Sequence, residues 1–226
     1  MDTVRDRRDF LNLGIAGAAA AGLAAVAVTP AAAQPPGLAT LPDLFPRANA
    51  RQFQAIRDHE NAHRAAVIAL IQQLGGTPRP LPNFRNLRQP NARAVATTAR
   101  TFENTGAGAG RAAAPVIFSR MVLEAATSLV LIEGRHAGYL NTLLNQIHTA
   151  NAVNVPDQSF EQPLTQEQVL QLTSPFIQDL NGGPPAAFSL TPSAANDIAI
   201  LNFVLILEYL ETEFYNLNVP LFFPNG

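Results

Sequence analysis

Two Glu-x-x-His pairs, Glu60/His63 and Glu133/His136, stand in separate stretches whose apolar residues recur every three or four positions. The first register reads Phe53, Ile56, Glu60, His63, Val67, Leu70, Leu74. The second reads Val122, Ala126, Leu129, Glu133, His136, Leu140, Leu143, Ile147. That period is helical, and it puts a carboxylate and an imidazole on the face each helix turns toward the core. An unpaired carboxylate is too costly to bury. In a helix bundle the usual compensation is a metal ion. Nine Glu and four His in 226 residues give about 0.16 such pairs by chance (9 × 4/226), so two in core register are a signal.

A dinuclear carboxylate centre takes one Glu from each of two helices and a Glu-x-x-His from each of two others. The i,i+3 spacing aims one oxygen and one nitrogen at the same ion. The chain supplies the whole set. Glu103 is the only acid between Glu60 and Glu124, and Glu208 sits in the middle of a late apolar stretch. Four carboxylates and two divalent ions make a neutral site. Imidazole with hard carboxylate oxygen suits iron or manganese.

Four long helices must position these groups. The first is expected from about Arg47 to Leu74, stopped by Gly75-Gly76. Pro78, Pro80, Pro82 and Pro90 make Thr77 to Pro90 an extended connection. The second helix runs from about Asn91 to Ala113, and the third from about Ser119 to Ile147. An irregular stretch of some 45 residues follows. It is broken by one short helix that Thr165 caps, with Gln168 completing a capping box. Ser193 opens the last helix, to about Leu217, with Leu201, Val204, Glu208, Glu211 and Tyr215 along one face. No stretch reads as a strand. The expected fold is an all-α four-helix bundle with a long crossover connection.

Cysteine is absent, which excludes disulfides, thiolate metal sites and cysteine nucleophiles. All 15 basic residues are Arg, and a net charge of −2 argues against nucleic acid as a partner. Asp6-Arg7-Arg8-Asp9-Phe10-Leu11 resembles the twin-arginine export motif. A short Ala/Gly-rich apolar run and a small-residue cleavage site at Ala31-Ala32-Ala33 follow it. Residues 1–33 are therefore expected to be a signal peptide, 34–46 a proline-rich lead-in and 47–226 the domain. Export would deliver the protein to the periplasm or beyond. The apolar run is shorter than the roughly 20 residues of a spanning helix, so no stable membrane insertion is expected after signal removal.

Two other motifs compete. His59-Glu60-Asn61-Ala62-His63 also matches H-E-x-x-H, in which both His bind zinc and Glu is the base of a hydrolase. From Arg64 to Pro90 there is no Asp, Glu, His or Cys to serve as the third ligand. His59 lies about 100° around the helix from Glu60, at the surface or just behind the ligands. Gly106-Ala107-Gly108-Ala109-Gly110 has the look of a phosphate loop, but no strand precedes it. Its small residues are expected to let helices pack closely or to leave room for an oxidant.

Leu201-Asn202-Phe203, Leu207-Glu208-Tyr209-Leu210-Glu211 and Glu213-Phe214-Tyr215 resemble the first helix of the exported ferritin-like domain proteins, relatives of the plant desiccation-related proteins. Phe102-Glu103-Asn104-Thr105-Gly106 and Glu133-Gly134-Arg135-His136-Ala137 resemble that family's later helices. In the family the LNF…EYLE helix comes first; here it comes last, as in a circular permutation. The last helix then closes its own bundle or, in a swapped homodimer, a partner's.

The resemblance implies that Glu103 and Glu208 are single-Glu ligands, that Glu60 and Glu133 bridge two ions, and that His63 and His136 are terminal. It places Tyr215, seven residues after Glu208, near the metals as the candidate catalytic phenol. Glu211 becomes either a spare carboxylate that moves onto the metal or a group just behind the ligands. The implied activity is that of a di-iron or di-manganese oxidoreductase acting on dioxygen or hydrogen peroxide. The other function it admits is a stress- or desiccation-protective bundle whose metal is structural or lost.

Overall fold

The computed structural model describes residues 41–43, 46–153 and 155–224. The expected signal peptide, and the lead-in apart from residues 41–43 and Pro46, lie outside them. Among the described residues, five α-helices form the domain: α1 (Ala48–Gln73), α2 (Ala92–Ala113), α3 (Arg120–Leu143), the short α4 (Gln166–Thr173) and α5 (Ala194–Phe222). Side-chain caps set four of the starts. Asn91 accepts from the Ala94 amide, Ser119 from Val122 and Ser193 from Asn196, and Thr165 and Gln168 close a full capping box. Gly75, at φ 76°, stops α1, and the Gly76 amide turns back to the Ile71 carbonyl.

The four long helices form a square in which α1 and α2 run one way and α3 and α5 the other. The Thr212 hydroxyl donates to the Glu60 carbonyl, and the Gln54 amide to that of Phe223, so α5 runs antiparallel to α1. Asn104 meets Asn141 while Gly110 meets Val130, so α3 runs antiparallel to α2. Phe102 packs edge-on against Phe214 on α5, closing the third side. Tyr139 on α3 donates to Asn49 on α1, closing the fourth.

Two expectations about helix ends are corrected. The third helix stops at Leu143 rather than Ile147, because Asn145 turns left-handed (φ 60°) and Gln146 folds back onto the Asn141 carbonyl. The last helix runs through Pro220 to Phe222 rather than ending near Leu217. Packing outweighs the proline there: Val219 is fully buried, and the Phe223 ring stacks on Phe53 at 3.9 Å.

α5 is buried nearly all round, not on one face. Its outer side is wrapped by both long connections. In the first, the Arg79 amide donates to the Asn202 side chain (2.7 Å), the Tyr209 hydroxyl donates to the Arg79 carbonyl, and the Gln89 amide donates to Asn218. That stretch therefore tracks α5 from Asn202 to Asn218. The second brings Leu164, Val169 and Phe188 against Phe203 and Leu207. A small antiparallel ribbon, Asn83–Phe84 with Ile177–Asp179, ties the two connections together. It is too short to leave an alternating pattern in the sequence. Among the described residues no helix is long and apolar enough to cross a membrane.

Candidate metal centre

All six expected ligand residues converge halfway along the bundle. α1 contributes Glu60 and His63, α2 contributes Glu103, α3 contributes Glu133 and His136, and α5 contributes Glu208. The four carboxylates are each at most 2% exposed. His63 Nδ1 lies 3.1 Å from Glu60 Oε2, 3.0 Å from Glu133 Oε1 and 3.8 Å from Glu208 Oε2. His136 Nδ1 lies 3.1 Å from Glu60 Oε1 and 3.0 Å from Glu103 Oε2.

Donor atoms within 4.8 Å of one another fall into two groups that could each hold a metal ion: Glu60, His63, Glu133 and Glu208, and Glu60, Glu103, Glu133 and His136. Glu60 and Glu133 belong to both. The donor chemistry fits a hard divalent cation. So does a second observation. Glu60 Oε1, both Glu133 carboxylate oxygens and Glu208 Oε2 are buried without a hydrogen-bond partner. The imidazoles stand close to several of these oxygens but not along a hydrogen-bond direction. Such atoms need a cation or water to be tolerable.

Three further side chains complete the surroundings. The Tyr215 hydroxyl, fully buried, donates to Glu103 Oε1 at 2.5 Å. Burial and the Glu103 charge push that phenol well above its ordinary pKa, so it stays a donor. Glu211 is buried one turn after Glu208, lies outside both groups, and its Oε1 has no partner. His59 is exposed, yet its Nδ1 sits 2.9 Å from His136 Nε2 with the two rings stacked. Burial and the neighbouring His136 and His63 hold His59 below the ordinary histidine range, as suits an acceptor. H-E-x-x-H zinc geometry is not formed, since His59 belongs to neither group.

The glycine run has three separate reasons. A Cβ at Gly106 would stand 3.3 Å from Glu133 Oε2; at Gly108 it would collide with Leu164; at Gly110 it would fall 2.0 Å from Val130. Gly106 thus lets α2 pass beside a buried carboxylate, a role sequence reading does not assign to a glycine inside a helix. The other two serve close packing, as expected.

Without metal, the cluster holds protons. Burial alone would lower the two imidazoles. The facing carboxylates outweigh it, raising His63 to about 11, through Glu133 and Glu60, and His136 to about 10, chiefly through Glu103. Burial and neighbouring carboxylates raise Glu208 and Glu211 well above the ordinary range, and burial raises Glu103 although His136 opposes it. Glu60 goes the other way: burial raises it, but the His136 and His63 imidazoles beside it win.

A folded chain that keeps protons the unfolded chain has released loses stability as pH rises. For the histidines that contribution is complete below about pH 6.5, their ordinary pKa. It is lost as pH climbs through 10 to 11. The three raised carboxylates act in the same direction from about pH 4.5 upward. Glu60 opposes them only in more acid solution. The melting temperature of chelator-treated protein is therefore expected to fall steadily between pH 6 and 9, and a flat profile in calorimetric melts would contradict this proton inventory.

The fold and this cluster define a four-helix bundle with a buried carboxylate–imidazole centre able to hold metal. Residues 14–146, more than half of the chain, match the ferritin-like domain family model, and the chain belongs to that family. The match ends before α5, the helix that carries Glu208, Glu211 and Tyr215. Neither curated proteins nor solved structures give a match.

Proposed function

We propose that this is an exported dinuclear metalloprotein holding two iron or manganese ions and reacting with dioxygen or hydrogen peroxide. One observation carries the reading: the two donor groups share Glu60 and Glu133, as bridging carboxylates must. In this reading His63 and Glu208 complete one site, and His136 and Glu103 the other. Bound there, the pair supplies reversible one-electron steps at two adjacent ions. The protein's own groups do the rest. Tyr215 positions Glu103 by donating to it. The carboxylates and imidazoles give up their protons to solvent as metal enters, so affinity rises with pH. Metal analysis of protein taken from its export compartment tests the proposal. About two iron or manganese per chain is the expected count, and none would leave a structural bundle.

That structural bundle is the second reading, and a specific observation favours it. The imidazolium–carboxylate contacts described above let the cluster close without metal. A stress-protective protein needs no more. Ultraviolet absorbance after ferrous iron and air separates the two: a new near-ultraviolet band supports reactive iron, and a silent spectrum supports protection.

The reading gives His59 a task. With Nδ1 of His136 turned to the metal, its Nε2–H donates to His59 Nδ1, fixing tautomer and ring orientation. His59→Phe removes the acceptor at an exposed position. It is expected to weaken one of the two metal sites about tenfold and spare the other, with His59→Asn retaining part of the affinity. Equal effects on both sites, or none, in calorimetric manganese titrations would refute this role.

We also propose that α5 is the family's first helix moved to the end of the chain. A ferritin-like bundle has one long crossover; this chain has two, and its α5 lies antiparallel to α1 as a neighbouring first helix would. The end of α5 meets the start of α1, with Phe223 stacked on Phe53, where a short loop would otherwise join them. Export itself rests on Arg7 and Arg8. Changing both to Lys is expected to strand precursor in the cytoplasm, and normal processing of the double variant would show the pair to be incidental.

A further inference from the structure

A cavity of about 410 Å³ runs from the surface to the ligand cluster, within the size range of small-molecule sites. Its exposed rim residues are Ala66 of α1 and Ala125 and Ser128 of α3, so its mouth lies between these two helices. All four long helices wall it. The lining is almost wholly aliphatic, with Leu70, Ala113 and Ile200 at one end. The charged side chains, His63 and Glu208, both lie at the other. Along α5 the lining extends from Ile200 to Glu208, about 12 Å at the helical rise.

From this we infer that the cavity binds a linear aliphatic molecule with an uncharged oxygen head group. The head lies against His63 and Glu208, and the chain points toward Leu70 and Ile200. The distribution of polarity selects the class: an apolar body needs apolar walls throughout, and a single polar end needs partners at one end only. His63 at that end is already held between Glu60 and Glu133, so it offers an anionic head no free cation. A second copy of the chain is a poorer fit. A sphere of 410 Å³ has a wall of only about 270 Å², a third of the roughly 800 Å² each partner of a stable dimer contributes. The inference rests on the proposed metal centre only for the head-group end; the apolar chain site stands without it.

Calorimetric titration of the full chain with hexanol, octanol and decanol tests this, in manganese-loaded and chelator-treated protein, with octanoate as the anionic comparison. Saturable binding is expected, tightening about fourfold per added methylene until the cavity is full, with octanol binding more tightly than octanoate. Ala126→Phe, which fills the cavity from α3, is expected to weaken octanol at least tenfold while metal content and melting temperature hold. Ala66→Leu at the mouth reads the same effect should the first variant fold poorly. No saturable binding, or undiminished binding in both variants, overturns the proposal. So does tighter binding of octanoate, or a wild-type dimer that sediments as a monomer once Ala126 is changed and never takes up octanol. Octanol uptake by protein that never takes up manganese would sink the dinuclear reading and leave the cavity's assignment standing.

Discussion

On the dinuclear reading proposed above, Glu133→Ala is expected to cut the metal content from two ions per chain to one at most. Glu133 is the side chain of the cluster with both carboxylate oxygens buried and unpartnered, and it belongs to both donor groups. Removing it leaves Glu60, Glu103 and Glu208, three negative charges against four positive ones. A buried site with uncompensated charge is strongly disfavoured. Glu133→Gln separates charge from shape: it fills the same space beside Gly106 but cannot bridge as an anion, and it should behave nearly as badly as Ala. His63 keeps Glu60 at 3.1 Å in either variant, so the metal-free fold should survive. Titration with manganese that gives an unchanged count would remove Glu133 from the centre.

Ending the chain before Ser193 is expected to abolish folding altogether. Leu205, Ile206, Leu210, Phe214 and Tyr215 of α5 are each at most 1% exposed. Full burial of such side chains is worth about 1.5–3 kcal/mol apiece, so their loss is on the order of 10 kcal/mol. That rivals the entire stability of a typical domain, roughly 5–15 kcal/mol. The truncation also bares Phe53, Ile56 and Ile71 on α1, and it takes away Glu208 and Tyr215, one of the two partners of Glu103. The shortened chain should aggregate or bind metal poorly. Supplying residues 193–224 as a separate peptide should partly restore both properties, since docking needs no covalent link. A truncated chain that stays monomeric, cooperative in melting and fully loaded would exclude Glu208 as a ligand.

The all-α bundle was legible in the sequence because its signals are local. Asn91, Ser119, Thr165 and Ser193 announce helix starts within a few residues, and the apolar register tells which face each helix buries. The convergence of Glu60, His63, Glu133 and His136 followed from that register, because core faces of neighbouring helices must meet. What escaped depended on contacts distant in sequence. The burial of α5 on all sides comes from connections that wrap it, and no periodicity within the helix reports them. The pairing of His59 with His136 links positions 77 residues apart. Arg79, in the proline-rich connection, is 1% exposed with Nε and Nη2 unpartnered, and it is Asn202, 123 residues away, that meets it. Gly106, Ala109 and Gly110, expected to pack closely or leave room, do line the cavity, but its reach to Leu70 and Ile200 is a property of spacing between helices.

The stacking of Phe223 on Phe53 has a consequence for biosynthesis. The helix made first in the domain has its main neighbour in the helix made last. At a ribosomal rate of about 5–20 residues per second, the 170 residues between these two rings take roughly ten to thirty seconds to appear. Throughout that interval α2 and α3 can form a hairpin, but the apolar stripe of α1 lacks its main cover. The candidate ligand set spans Glu60 to Glu208, so it too stays incomplete until α5 has been made. Nascent chains of this protein should therefore be long-lived clients of ribosome-associated chaperones.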